Sequence, residues 1–337
     1  MRFGWRGALG VLLSVALLWW VLHDQDLALI WRSLVGSNPW LWFACTVAAT
    51  AIFPLRARRW QALLAPRYGR LPFAALWQAT AIGMMVNNVA PLRAGEFARA
   101  FALTRARPEV RFSAAFASLA VDRLFDGTVV LLLMLVATLD PAFVSERMIG
   151  DRPLAFYLQG AALFLGAVLV GALLLLFAPD QVAAVVDAVV GRVLPKTAPR
   201  VHAIVGGFVD GLHALRSPRL MAEVFVWTLL HWLCNALAFW LGFRALGLAA
   251  PFSAALLTQG LIAIGVSLPS GPGFFGPFEA GGIAGLALYR VDSAAATSWA
   301  LGFHVFSYIP ITVLGAWYLS RMHLHLREVT AGSAEAR

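Results

Sequence analysis

The run Leu268-Pro269-Ser270-Gly271-Pro272-Gly273-Phe274-Phe275-Gly276-Pro277-Phe278-Glu279 places three prolines and three glycines inside an apolar stretch, 252–289. Proline removes a backbone donor and glycine costs helix stability, so no continuous helix can cross it. A second apolar stretch, 73–91, stops at Asn88-Val89-Ala90-Pro91 and is followed by Gly95-Glu96. Irregular backbone at membrane depth is tolerated only where it is buried in protein or lines a wet cavity. Two interrupted stretches, each followed by a glutamate, therefore predict a cavity.

Working outward from these breaks, the surrounding residues echo one another. Pro72-Phe73-Ala74-Ala75-Leu76 matches Pro251-Phe252-Ser253-Ala254-Ala255-Leu256, and Gln78 matches Gln259. Ala81-Ile82-Gly83 matches Ala263-Ile264-Gly265, and Ser113-Ala114-Ala115 matches Ser293-Ala294-Ala295. The shared order, at an offset of about 180 residues, predicts an internal repeat over 7–139 and 154–319. Each half would hold two spans, a hairpin and a third span. Three crossings is an odd number, so the second copy is expected to be inverted, a common transporter design.

Composition agrees with a membrane solvent. The chain has 337 residues, is 61% hydrophobic and only 13% charged, and its mean hydropathy is +0.77. Soluble domains carry about 25% charged residues. Apolar runs at 7–22, 40–55, 112–139, 154–177, 221–243 and 295–319 approach the length needed to span. The fold class predicted is an all-α integral membrane protein with about six spanning helices and two re-entrant hairpins. A single membrane domain would cover 1–330, leaving 331–337 as a tail. The first run lacks a small-x-small cleavage site and is expected to be a retained helix.

Charge sets the expected orientation. Formal net charge is +9, from 26 Lys+Arg against 17 Asp+Glu, and Lys196 is the one lysine. The cations of 56–70, 93–111, 192–219 and 321–327 fall in connections on one side, with 196–219 expected along that leaflet. Asp24, Asp26, Asp140, Glu146 and Asp151 fall on the other. The positive-inside tendency predicts that both termini are cytoplasmic. No nucleic-acid motif is present, so the basic excess points to anionic lipid. Cys45 and Cys234 lie in apolar runs and form neither a disulfide framework nor a metal motif.

Three constellations could carry chemistry. In the first, Asn88 and Pro91 precede Arg93, Glu96 and Arg99, at the start of a new helix with free backbone N–H groups. This is either a phosphate clamp or a salt-bridged corner. In the second, Asp122-Arg123-Leu124-Phe125-Asp126 lies inside 112–139, with Asp122 roughly 15 Å from Phe112 along a helix. Asp122 and Asp126 share a face, and ionisable groups at this depth are usually functional. They either form a structural ion-pair network or meet a cargo. The third is the break at Ser270, Gly273 and Glu279, either a cavity lining or a tight turn. His231 and His304 are expected as hydrogen-bonded packing residues, and His323 and His325 do not share a helix face.

These motifs resemble the transmembrane domain of bacterial lysylphosphatidylglycerol synthases and the related stand-alone flippase-like membrane proteins. The resemblance rests on Asn88, Pro91, Gly95, Glu96 and Arg99, on Asp122, Arg123 and Asp126, and on the Pro269 to Glu279 run. It covers nearly the whole chain. It implies a domain of the bacterial inner membrane that moves charged phospholipid between leaflets. The soluble aminoacyl-transferring domain of the synthases has no counterpart in the sequence, so a non-enzymatic role is expected.

The expected function is therefore a lipid translocase with no cofactor. Its partners would be a phospholipid or lipid-linked head group, with homo-oligomerisation left open. Arg93, Arg99 and Arg123 would meet the phosphate; Glu96, Asp122, Asp126 and Glu279 would balance them; Asn88, Ser270 and Gly273 would line the site. Rival readings are an accessory subunit of lipid, glycan or hopanoid synthesis, and an enzyme using Ser270 and His304 as nucleophile and base.

Overall fold

The computed structural model describes residues 5–90, 93–143, 148–149, 152–153, scattered positions between 156 and 188, 217–267, 270–326 and 328–329. Most of the expected span 154–177, the basic segment 196–219 (apart from its last three residues), Pro91, Pro269, Glu146, Asp151 and the tail 331–337 lie outside these residues.

The described chain is helical apart from a two-residue ladder pairing Met148–Ile149 with Arg152–Pro153. Helix α1 (Trp5–Leu22) is followed by α2 (Leu27–Val35), and the chain bends by 84° between them. The sequence reading treated 23–39 as a connection. A helix forms there because the Asp26 carboxylate accepts from the backbone N–H groups of Ala28 and Leu29, at 2.9 and 3.1 Å. A capping acid of this kind satisfies two donors that a helix start otherwise leaves open.

Helix α3 (Pro39–Tyr68) corrects the expected span 40–55. Proline at its first position and the Asn38 cap start it cleanly, but Pro54 does not stop it. Arg56 and Arg59, expected in a connection, therefore sit inside a helix and are buried. Their burial is possible because α6 supplies carboxylates, described below. Next come α4 (Phe73–Val89), α5 (Gly95–Ala106) and α6 (Phe112–Ala137). Helix α7 (Pro218–Ala245) begins at a Ser217 cap. Then follow α8 (Phe252–Gly265), a 3-10 turn (Pro272–Phe274), α9 (Pro277–Ala287) and α10 (Ser293–Arg321).

Three of these helices, α3, α7 and α10, are long and apolar enough to cross a membrane, and the bent α1–α2 pair is a fourth candidate. Helix α6 is 26 residues long but carries Asp122, Arg123 and Asp126 at its middle. Outward faces are apolar: Leu12, Trp19, Trp20, Trp40 and Phe43 are all exposed. Hydrocarbon, not water, is the natural neighbour of such a surface.

The first stretch, 73–91, is not itself a hairpin: it forms the single helix α4, and α5, where a cationic connection was expected, returns antiparallel against it. The second stretch folds as an antiparallel hairpin of α8 and α9. Between α4 and α5, a Cβ on Gly83 would lie 2.7 Å from the Gly95 carbonyl oxygen; between α8 and α9, a Cβ on Gly265 would lie 2.9 Å from the Pro277 carbonyl oxygen. Glycine lets the two helices touch at equivalent places. The packing pairs also exchange between halves. Helix α3 packs on α4 as α7 packs on α8, α5 on α6 as α9 on α10, and α4 on α10 as α8 on α6. Helices α3 and α7 pack on each other across the middle. Two large apolar cores and a small one around Phe53, Ala81 and Ile311 result among the described residues. One large core surrounds Trp60, Leu76 and Leu103 beside the first hairpin, and the other surrounds Phe243, Trp299 and Leu286 beside the second.

Candidate functional site

The two hairpin tips open on one cavity of ≈ 720 Å³. The first hairpin contributes Asn87, Asn88, Arg93 and Glu96, and the second contributes Gln259, Ser267, Gly273, Phe274 and Phe278. Arg56 of α3, Arg123 and Asp126 of α6, His231, Trp232 and Asn235 of α7, and His304, Ser307 and Tyr308 of α10 add further polar lining.

Local chemistry holds the tips. In the first, the Asn87 side-chain oxygen accepts from the Gly95 N–H at 2.9 Å, bridging the break between α4 and α5. The Asn88 amide donates to Thr312 Oγ1 at 2.7 Å, and Tyr308 Oη donates to the Asn88 carbonyl at 2.8 Å. Arg93 adopts a left-handed backbone, φ 54°, which a side chain rarely takes without surrounding constraint. In the second tip, Gly273 and Gly276 take φ of 69° and 92°. The Glu279 carboxylate accepts from the Gly276 N–H at 2.6 Å and closes the turn that leads into α9.

Beneath the first tip lies an ion network, buried at Arg59, Arg99, Asp122 and Asp126 and half-buried at Glu96 and Arg123. Arg59 is fully buried, with Nε 2.5 Å from Asp122 and Nη1 2.6 Å from Asp126. Arg99 reaches Asp122 at 3.4 Å and stacks over the Trp60 ring at 4.1 Å. Arg123 is bound to Glu96 and lies 3.3 Å from Asp126. Trp232 donates to Asp126 at 2.9 Å. The energetic logic is that of buried pairs: each charge is costly alone and tolerable only with its partners.

Two cavity arginines stand apart from this network. Among the described residues, neither Arg56 nor Arg93 has a carboxylate within ion-pair distance. Arg56 points one guanidinium nitrogen at Met84 sulfur, 3.7 Å away, and Arg93 lies over the Phe274 ring. Around the first tip, Arg56, Arg59, Arg93, Arg99 and Arg123 face the three carboxylates Glu96, Asp122 and Asp126. Positive charge is in excess by two, and Arg56 and Arg93 both line the cavity.

Of the residues expected at the site, Asn88, Arg93, Glu96, Arg123, Asp126 and Gly273 line the cavity. Arg99 and Asp122 lie behind them in the ion network. Glu279 is buried and touches the cavity only through His304, whose Nδ1 is 2.6 Å from its carboxylate. Ser270 is buried and does not line the cavity. Both ring nitrogens of His304 are engaged, by Glu279 and by the Gly273 carbonyl at 2.7 Å, so no imidazole nitrogen is left to activate Ser270. The sequence reading missed Arg56 and Arg59 as site residues. One signal was present: two carboxylates at mid-helix need cations, and Arg56 and Arg59 are three apart at the end of an apolar run.

Fold and site together define a helical membrane protein with an arginine-rich cavity between two interrupted hairpins. The chain belongs to the family described as the lysylphosphatidylglycerol synthase TM region, whose match runs over residues 7–315. No curated protein matches the chain.

Proposed function

We propose that the chain is a lipid translocase, moving an anionic phospholipid or lipid-linked head group between leaflets of a bacterial inner membrane. The observation that carries this reading is the pair Arg56 and Arg93, which have no carboxylate partner among the described residues and line a largely apolar cavity where the two tips meet. A guanidinium fork is the side chain best shaped to hold a phosphate. The apolar residues beside it, Ile52, Leu131, Ile262 and Ile264, suit the first carbons below a head group.

In this reading α1, α3, α6, α7 and α10 are spans, and the expected span 154–177 is the sixth. The hairpins α4–α5 and α8–α9 are re-entrant and come from opposite leaflets, and both termini are cytoplasmic. Exchange of packing partners between the halves supports an inverted repeat. Alternate exposure of the cavity would follow from rocking of one half on the other about the α3–α7 contact. The ion network beneath the first tip holds its shape and offers Arg123 to the cavity.

The test is reconstitution of the purified chain in vesicles carrying a fluorescent phosphatidylglycerol in both leaflets. With a reductant added outside, the wild type should allow the whole fluorescent population to be quenched. Arg56→Gln/Arg93→Gln should leave the inner leaflet protected. Full protection with folded wild-type protein would overturn the translocase reading and favour an accessory role in lipid or glycan synthesis.

A further inference from the structure

The two hairpins bind their glutamates with different chemistry at matching positions. Glu96, in the first turn of α5, is held by Arg123, the twelfth residue of α6. Glu279, in the first turn of α9, is held by His304, the twelfth residue of α10. Arginine keeps its proton at every physiological pH, whereas histidine changes charge in that range. One half of the molecule thus pairs its glutamate with a guanidinium and the other with an imidazole.

Donor and acceptor counting gives the proton content of the second pair. The Gly273 carbonyl can only accept, so the His304 Nε2 that lies 2.7 Å from it carries a hydrogen. The 2.6 Å contact between Nδ1 and Glu279 Oε1 requires one more proton between those atoms. The other Glu279 oxygen already accepts from the Gly276 N–H. The pair therefore holds two protons and is neutral overall, whichever atom keeps the shared one.

We propose that Glu279 and His304 form a proton-binding site that takes up and releases one proton with each lipid movement. This rests on the translocase reading above. On release, the shared proton passes through the cavity-lining imidazole to water. A carboxylate and a neutral imidazole with a single N–H remain. That hydrogen serves only one of two acceptors, so either Glu279 or the Gly273 carbonyl loses its bond. Gly273 belongs to the Pro272–Phe274 turn, and Phe274 is the residue that Arg93 covers. Proton loss thereby reaches the contact between the tips.

Charge couples the same step to cargo. Losing the proton leaves one negative charge beside a cavity with two excess positive charges. A lipid phosphate draws on those charges too, so bound phosphate favours the protonated pair. By linkage, protonation favours phosphate to the same degree. Lipid and proton are expected to travel together.

The other ionisable groups around the pair are few. Tyr308 flanks the His304 ring on α10, with centroids 6.1 Å apart. The cavity adds Arg56 from α3, Arg93 and Glu96 from the first hairpin, Arg123 and Asp126 from α6, and His231 from α7. Helix α8 contains no ionisable residue, α1 reaches the break through Ser14, and Arg32 of α2 is turned onto its own Ala28 carbonyl. None of these bonds to the pair.

The experiment uses the full chain in vesicles of phosphatidylethanolamine and phosphatidylglycerol, with acyl-labelled phosphatidylglycerol and a trapped pH dye. An imposed pH gradient should drive labelled lipid into one leaflet beyond equal distribution, with protons moving alongside. Glu279→Gln and His304→Gln should lose this gradient response, and His304→Arg, which copies the guanidinium pair of the first half, should lose it too. Wild-type lipid movement with the same rate and final distribution, with or without the gradient, would overturn the proton role alone. Absence of any lipid movement would overturn the translocase reading and this proposal with it. If neither glutamine variant folds, the wild type decides: gradient-driven accumulation supports the proposal and indifference overturns it.

Discussion

The Arg93 guanidinium lies 5.6 Å from the centre of the Phe274 ring, so the tips of two hairpins far apart in sequence touch across the cavity. A cation over an aromatic face is held by the ring quadrupole and contributes about 0.5–2 kcal/mol. The contact is weak enough to break during a transport cycle and specific enough to define a closed arrangement. Paired substitutions Arg93→Cys and Phe274→Cys, in a background lacking Cys45 and Cys234, should be joined within one molecule by a short bifunctional thiol reagent. Peptide mass spectrometry would detect the link. Its absence in folded protein would separate the tips.

Arg59 and Arg56 occupy the same helix three residues apart and should behave oppositely. Arg59 bridges Asp122 and Asp126 with no exposed surface. Arg59→Met leaves two buried carboxylates short of a partner and should destabilise the fold by about 3–5 kcal/mol. Arg56 has no carboxylate partner among the described residues, so Arg56→Met should leave the melting temperature in detergent nearly unchanged. Thermal unfolding of both variants checks this, and an equal loss in both would contradict the division between structural and cavity arginines.

Small residues set the hairpin spacing. Gly83→Ala would push a methyl to 2.7 Å from the Gly95 carbonyl oxygen and the Arg99 Cβ, and Gly265→Ala to 2.9 Å from the Pro277 carbonyl oxygen. Each should cost about 1–3 kcal/mol through overpacking. Gly127, with open space around its Cβ direction, should accept alanine at no such cost. Comparable melting temperatures for all three variants would mean the hairpins are looser than described.

The two interruptions were legible in sequence because proline and glycine act on the backbone locally, and Asn88, Arg93, Glu96, Arg123, Asp126 and Gly273 were expected at the site and line the cavity. The echo of Pro72-Phe73 by Pro251-Phe252 marks the starts of α4 and α8. Arg59 was not legible, because its role depends on a contact with residues 63 and 67 positions away. An arginine after an apolar run looks the same whether it meets water or a buried carboxylate. Helix α2 was missed for a related reason: Asp26 is a loop acid in sequence and a helix cap in space. His304 was expected as a packing residue, and only the placement of Gly273 and Glu279 on its two nitrogens gives it a chemical role.

Orientation is open to direct labelling. Arg67 lies in the last turn of α3 beside the cationic segments, and Asp24 lies in the bend between α1 and α2. A cysteine placed at Arg67 should resist an impermeant thiol reagent in intact cells, and one placed at Asp24 should react. The reverse pattern would invert the membrane orientation while leaving the fold unchanged.

The central claim is that the cavity holds an anionic head group through Arg56 and Arg93. Native mass spectrometry of the detergent-purified chain, offered equal amounts of phosphatidylglycerol and phosphatidylethanolamine, tests it most directly. The account predicts preferential retention of phosphatidylglycerol by the wild type. It also predicts loss of that preference in Arg56→Gln/Arg93→Gln without loss of folded protein. Equal retention of both lipids by the wild type, or an unchanged preference in the double variant, would contradict it.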